Sequence, residues 1–381
     1  MGFATTAIHA GQPPEPSTGA IMTPVFLTST YVQEELGKNK GYEYSRVSNP
    51  TRTALEENIA ALEGGRHGMA FGSGTAAADA ILRLLKPGDH VIISRNVYGG
   101  TYRLAKMVWE EYGLRFSFVD TTDVSNIERA GEPGTKMLLI ETPTNPTIEI
   151  SDLAACGELG RRRGWITVAD NTFATPYLQQ PLAFGFGVVF HSLTKYLNGH
   201  SDMLGGLVVT NDDSIAEKLR FTQKAVGGIL SPFDAWLCLR GTKTLAIRMR
   251  QHCANAMDVA QWISEQKAIR TVHYPGLATH PGHALAEKQM RGFGGMLAFD
   301  LGSLGAASAF LRNLNLCALA ESLGGVESII THPASMTHAS IPAAERARIG
   351  VTDGLIRVSV GIEDVEDIIG DLQQALAAIR H

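Results

Sequence analysis

The chain reads as a mainly parallel α/β sheet covered by helices, followed by a smaller α+β unit. Three observations predict this. Short apolar runs at His90–Ser94, Lys136–Ile140, Trp165–Ala169, Val188–Phe190 and Gly206–Val209 alternate with helical stretches, the pattern of a sheet with helices on both faces. Polar or hydroxyl residues follow most of these runs, where open α/β sheets bind ligands. The 381 residues also suffice for two domains, at about 100–200 residues each.

Taken in order, the first fifty residues are rich in Pro, Gly, Thr and Ser with little periodicity, from Gly11-Gln12-Pro13-Pro14 to Ser48-Asn49-Pro50-Thr51. Such a segment has little core of its own and is expected to lie across another surface. From Thr51 the pattern turns helical, with Leu55, Ile59 and Leu62 on one face and Gly64-Gly65 as the stop. Beyond Pro232 one long helical stretch is predicted through Leu237, Leu245, Ile247 and Met257 to about Gln266. From Ala268 short strands mix with helices, and an amphipathic helix around Asp364–Ile379 closes the chain. The expected division is an arm at 1–52, a large α/β domain at 53–240, and a linker helix with an α+β domain at 241–381.

Composition narrows the function by exclusion. Apolar content is 44% and charged content 19%, ordinary for a globular enzyme. A net charge of −5 offers no basic surface for nucleic acid. Cys156, Cys238, Cys253 and Cys317 lie far apart with no CxxC pair, which predicts neither a metal site nor a disulfide framework. Met1-Gly2-Phe3-Ala4-Thr5-Thr6 lacks a basic region leading into an apolar core, and no apolar run reaches membrane-spanning length. A soluble, cytoplasmic protein is expected.

Lys195 is the most informative residue. An apolar strand ends in His191-Ser192-Leu193-Thr194-Lys195, and a glycine-broken polar segment follows. A lysine at the end of a buried strand is costly unless paired or chemically used. Ser192 and Thr194 offer hydroxyls to an anion, and the lysine amine can form a Schiff base with a carbonyl. One small molecule carrying both phosphate and aldehyde is pyridoxal phosphate. A second strand ends in Asp170-Asn171-Thr172. Asp170 there is either a cap for the next segment or the ion-pair partner of a pyridinium nitrogen.

Phe71-Gly72-Ser73-Gly74-Thr75-Ala76 is a glycine turn into an alanine-rich helix, and backbone N–H groups at such a start bind phosphate. The same residues fit G-x-G-x-x-A, with Arg95 placed for a 2′-phosphate. A nicotinamide-dependent oxidoreductase is therefore the rival reading, although it leaves Lys195, Asp170 and Tyr98 without roles. Tyr98, in Tyr98-Gly99-Gly100-Thr101, is a turn residue or a ring that stacks on a planar cofactor.

Together these segments resemble the cystathionine γ-synthase/γ-lyase family of pyridoxal-phosphate enzymes in Cys/Met metabolism, over essentially the whole chain. The matching motifs are Tyr44-Ser45-Arg46 with Asn49-Pro50-Thr51-Arg52, Tyr98-Gly99-Gly100-Thr101, Glu141-Thr142-Pro143-Thr144-Asn145-Pro146 and Asp170-Asn171-Thr172. They continue with Ser192-Leu193-Thr194-Lys195-Tyr196, Glu321-Ser322-Leu323-Gly324-Gly325 and Arg357-Val358-Ser359. The resemblance implies the fold-type I, aspartate-aminotransferase-like architecture and a homotetramer built as a dimer of dimers with shared sites. Under it, Lys195 is the Schiff-base lysine and proton shuttle, Asp170 with Thr172 serves the ring nitrogen, Tyr98 stacks, and Asn145 bonds the ring hydroxyl. Ser73, Gly74, Thr75, Ser192 and Thr194 form the phosphate cup. Arg357 clamps the substrate carboxylate beside Ser322, Glu321 holds a distal amino group, and Tyr44 and Arg46 reach the neighbouring subunit's cofactor.

The implied reaction is γ-elimination of cystathionine to cysteine, 2-oxobutanoate and ammonia. The alternative is a γ-synthase that joins cysteine to an O-acyl-homoserine. Thr101 stands where methionine γ-lyases typically carry cysteine, which disfavours that branch. Four departures bear on substrate range: Gly187 in Gly185-Phe186-Gly187, Leu193 between Ser192 and Thr194, Thr75 after Ser73-Gly74, and Lys224 after Gln223. Lys224, if it faces the pocket, would favour an acidic γ-substituent such as succinyl.

Overall fold

The computed structural model describes residues 1–379. Seven strands form the larger sheet: β1 (His67–Phe71), β2 (His90–Ser94), β3 (Arg115–Val119), β4 (Thr135–Glu141), β5 (Ile166–Asp170), β6 (Val188–Ser192) and β7 (Gly206–Thr210). Their spatial order is β1-β7-β6-β5-β4-β2-β3. Only β7 runs against its neighbours. Alternation along the strands feeds two cores. Val91, Ile93, Met137, Leu139, Val168 and Phe190 pack on one face; Ile92, Leu138, Ile140, Ala169 and Val189 pack on the other. A sheet covered on both faces needs apolar residues at successive positions, which is why its central strands are legible as continuous apolar runs.

Two strands lie outside those runs. β1 is His-Gly-Met-Ala-Phe, too poor in branched residues to read as a strand. β3 is an edge strand, pairing only with β2, and its residues are half-buried or exposed. The arm also holds a helix at Phe3–His9, too short to show periodicity. It docks through Ala7 on the Pro50–Glu63 helix, where Asn58 Nδ2 donates to the Ala7 and Ala10 carbonyls. Residues 13–48 are mostly exposed, with isolated bridges such as Thr30 to Tyr44.

The long stretch after Pro232 is two helices, not one: Pro232–Thr242 and Leu245–Ser264. A buried arginine spans the break. Arg248 Nη2 donates to the Gly241 carbonyl at 2.9 Å, and Nη1 to that of Tyr196 at 2.7 Å. These bonds stitch the break to the turn that carries Lys195. A second sheet contains β8 (Thr271–His273), β9 (Met296–Asp300), β10 (Ala318–Leu319), β11 (Ile329–Thr331) and β12 (Leu355–Ser359), ordered β10-β11-β12-β9-β8. The helix Val365–Ala377 packs on its core through Ile368, Leu372 and Ala375.

Backbone contact brings β7 against the glycine turn. A Cβ at Gly206 would lie 2.2 Å from the Ser73 carbonyl oxygen, so only glycine fits. Gly206→Ala is expected to destabilise the fold by about 1–3 kcal/mol through overpacking, measured by denaturant unfolding. A loss below about 0.5 kcal/mol, the scale of a neutral surface change, would show that the contact relaxes freely.

Candidate active site

The carboxyl ends of β4, β5 and β6 and the start of the Gly74–Leu82 helix open into one cavity. It is lined by Ser73, Gly74, Thr75, Tyr98, Asn145, Asp170, Thr172, Ser192, Thr194, Lys195, Glu321, Ser322 and Arg357. Residues up to 284 positions apart in sequence therefore share one wall, as crevices at strand ends allow; the span runs from Ser73 through the 321–323 turn to Arg357 on β12.

Lys195 sits in the turn after β6, and its Nζ donates to Ser322 Oγ at 2.6 Å. Burial, then the nearby Arg357 charge, lowers its pKa to about 8, against an opposing pull from Glu321. The turn that supplies Ser322 is pressed onto the Lys195–Tyr196 peptide. A Cβ at Gly324, whose φ is +76°, would come within 2.6 Å of the Tyr196 nitrogen. Ser322 itself has φ 90°, the kind of non-glycine strain that clusters at functional sites.

Asp170 ends β5 at 8% exposure. Its Oδ1 accepts both the Thr172 N–H at 3.0 Å and the Thr172 hydroxyl at 2.5 Å. Burial raises its carboxyl pKa, while the Thr172 bonds and His191 pull the other way. Thr172 Oγ1 also accepts the Ser192 N–H at 3.0 Å, tying the two strand ends together.

Arg357, on β12, is 1% exposed. Nη1 donates to Asn145 Oδ1 at 2.9 Å, and Nη2 donates to the Ser322 carbonyl at 2.9 Å and to Thr331 Oγ1 at 3.1 Å. Its Nε has no partner, and burial lowers its pKa to about 10. Asn145 is braced from behind by His338, whose Nε2 lies 3.2 Å from the Asn145 carbonyl while Nδ1 lies 2.8 Å from the Thr337 hydroxyl. Burial lowers the His338 pKa to about 4, so the ring is neutral at pH 7; Nε2–H donates and Nδ1 accepts.

The Gly74–Leu82 helix is capped by Ser73, whose Oγ accepts the Ala76 N–H at 3.0 Å. Its first residues, Gly74 and Thr75, line the cavity together with Ser192 and Thr194, and a helix start of this kind offers dipole and N–H donors to an anion. The donor set therefore suits a ligand with a cationic nitrogen facing Asp170, a phosphate at the helix start and a carbonyl within reach of Lys195.

Tyr44 and Arg46 lie outside this cavity, on the arm. Arg46 Nη1 donates to the Lys224 carbonyl at 2.6 Å, its guanidinium covers the Tyr44 ring at 5.4 Å, and Tyr44 is 42% exposed. Lys224 does not face the pocket of its own chain; its amine lies 5.8 Å from the Phe221 ring centre on an exposed helix face. Leu193 is fully buried in the core, which accounts for its size. Gly187 lies just before β6, at the opposite end of that strand from Lys195. Thr75 lines the cavity. Arg95, the 2′-phosphate candidate of the dinucleotide reading, pairs instead with Asp120 at 2.9 Å and Glu149 at 3.0 Å.

Sequence reasoning left several lining residues without a site role: Thr101, Glu141, Phe173, Phe190, Leu204, Leu323 and Thr337. Glu141 had a visible signal, a carboxylate ending one strand beside a strand ending in Asp170. The Thr337–His338 brace had none, because nothing local marks a distant turn as the support of Asn145.

A family model described as Cys/Met metabolism PLP-dependent enzyme matches residues 4–377. A cystathionine β-lyase of Coxiella burnetii is 54% identical over 98% of this chain and 97% of its own. A cystathionine γ-lyase of Bacillus subtilis is 50% identical over the full length of both. The crystal structure of a cystathionine γ-lyase from Lactobacillus plantarum, complexed with L-serine, is 44% identical. It superimposes with a TM-score of 0.98, covering 100% of this chain and 99% of that one.

The depressed Lys195 amine makes a kinetic prediction. Capture of pyridoxal phosphate by the cofactor-free protein needs the neutral amine, so its rate should rise about tenfold between pH 7 and 9 and level off above, as a group titrating near 8 requires. A rate still climbing steeply above pH 10 would mark an unperturbed lysine. Stopped-flow absorbance reads the difference.

Proposed function

Because the chain belongs to the Cys/Met-metabolism PLP-dependent enzymes, we propose that it cleaves cystathionine at Cγ, releasing cysteine, 2-oxobutanoate and ammonia. The fold is fold-type I, and the family's cofactor is pyridoxal 5′-phosphate. The observation that carries the choice of substrate is Glu321. It is exposed at the cavity rim and forms no hydrogen bond or ion pair among the described residues, yet its charge acts on both Arg357 and Lys195. Cystathionine presents a second ammonium at its far end, and an unpaired carboxylate at the mouth suits it.

Bound pyridoxal phosphate supplies an electron sink for negative charge developing at the substrate Cα. The chain's residues do the rest. Arg357 receives the α-carboxylate in its fork, with Asn145 and Ser322 holding the guanidinium in place. Lys195 takes the Cα proton and delivers it onward, kept on target by Ser322 and poised as a base by burial. Asp170 would hold the ring nitrogen, Tyr98 would cover the ring, and Gly74, Thr75, Ser192 and Thr194 would receive the phosphate.

The synthase alternative would be favoured by a cation for a succinyl group. Lys224, the candidate, lies away from the cavity of its own chain; since Arg46 donates to its carbonyl, it sits with the residues proposed for the neighbouring site and does not decide between the two reactions. The arm at 1–52 is proposed to cover a second subunit's site within a homotetramer, placing Tyr44 and Arg46 at that subunit's phosphate. Their exposure in the single chain supports this. The division at 53–240 and 241–381 is proposed with it, one sheet falling in each part.

Glu321→Ala is expected to raise KM for cystathionine about ten- to a hundredfold, the loss of a charge-assisted bond of about 1.5–3 kcal/mol. An O-acyl-homoserine, lacking the distal amine, should bind almost as before. Product analysis completes the test: cysteine with 2-oxobutanoate supports γ-cleavage, whereas homocysteine with pyruvate would replace it by β-cleavage. Faster turnover of O-succinyl-homoserine with cysteine than of cystathionine would select the synthase.

Subunit sharing has its own test. Lys195→Ala should abolish turnover and Arg46→Ala should weaken cofactor retention. Mixed after subunit exchange, the two proteins should regain activity, because one site of each hybrid dimer carries neither lesion. Proven hybrids that stay inactive would remove the shared-site proposal.

A further inference from the structure

Glu141 has no part in the mechanism above, yet it occupies the centre of the site. It ends β4 in register with Asp170 at the end of β5, and both side chains line the cavity. Both are buried, at 4% and 8% exposure. Neither forms an ion pair among the described residues. Glu141 Oε2 accepts the main-chain N–H of Tyr98 at 2.8 Å, where the chain turns from β2 into the Gly99–Leu104 helix.

Two carboxylates side by side in a buried site do not both ionise near neutral pH. The surrounding groups decide which keeps its charge. Asp170 is held by two Thr172 hydrogen bonds and has His191 nearby, all favouring its anion. Glu141 faces Asp170 across the strands, the Tyr98 N–H from the turn, the Asn145 N–H and Arg357 from β12; the two N–H groups and Arg357 favour its anion, but burial and the Asp170 charge outweigh them and push its carboxyl well above the usual range.

We propose that Glu141 is a positioning residue, a neutral carboxylic acid that anchors Tyr98 and leaves Asp170 as the single negative charge facing the cofactor ring. This rests on the cofactor placement given above. The acid fixes the height of the stacking ring through its backbone. It also spares the ring nitrogen a second anion, so Asp170 alone sets the electronic character of the cofactor.

The test uses the holoenzyme and three readouts. Infrared spectra at pH 8 should contain the carbonyl stretch of a protonated carboxylic acid that Glu141→Gln removes. Cofactor dissociation, by equilibrium dialysis with pyridoxal phosphate, should weaken about tenfold in Glu141→Ala and return to within about threefold of wild type in Glu141→Gln, whose amide keeps both the acceptor and a donor. The pH midpoint of the cofactor absorbance band should stay within about 0.3 unit of wild type in Glu141→Gln, since no charge is lost. A shift of about one unit or more, the absence of a Glu141-dependent carboxylic acid band, or Glu141→Ala retaining cofactor as tightly as wild type would each overturn the inference. Wild-type protein that fails to retain pyridoxal phosphate would overturn the cofactor placement itself, and dialysis of wild type alone reads that separately.

Discussion

One buried carboxylate organises the floor of the site. Glu63 is fully enclosed, and its Oε1 accepts from Asn171 Nδ2 at 2.8 Å and meets His191 Nε2 at 2.5 Å. Asn171 follows Asp170, and His191 precedes Ser192. A single oxygen on the Pro50–Glu63 helix thus ties together the two strand ends that carry Asp170 and Ser192. Asn171 extends the network to the Gln179 carbonyl, while Gln179 Nε2 reaches Asn171 Oδ1 and Gln289 Nε2 reaches Gln179 Oε1. Removing one member of such a buried pair leaves an uncompensated polar group, at a cost of about 3–5 kcal/mol.

Above that floor, the charges are arranged so that each keeps a different protonation tendency. Burial raises the Asp170 carboxyl while donors from Thr172 oppose that rise, Lys195 is drawn toward neutrality by burial beside Arg357, and His338 is neutral and serves as a strut. Environments that push neighbouring titratable groups apart in this way are what allow acid and base chemistry in one small space. Arg357 is held by three acceptors on three different segments, so its fork is kept in one orientation. Preorganisation of this kind lowers the ordering cost of binding.

The second sheet matters because it supplies the lid side of the same cavity. β12 carries Arg357, and its neighbour β11 carries Thr331 in register with it. The turn at 321–325 reaches back over Lys195, with Gly324 pressed on the following peptide. Buried Arg248, by joining the helix break at Gly241 to the Tyr196 and Leu197 carbonyls, couples the linker helices to that lysine turn. The site is therefore assembled from both sheets and from the helices between them.

The sequence by itself determined what depends on neighbours along the chain. Apolar runs marked the strands β2 and β4–β7, the glycine turn marked the helix start at Gly74, strand ends marked Asp170 and Lys195, and the motifs of the family resemblance singled out Asn145 and Arg357. Periodicity and turn chemistry are local properties, so they survive without a fold. The edge strand β3 and the branch-poor β1 escaped because half-buried and small-residue strands lack that pattern. Only the tertiary structure decided the pairings across distance: Arg357 on Asn145, His338 behind Asn145, Glu63 beneath Asn171 and His191, and Glu141 beside Asp170. Those contacts follow from strand order and register, and a chain read residue by residue carries no local signal of which strand will lie next to which.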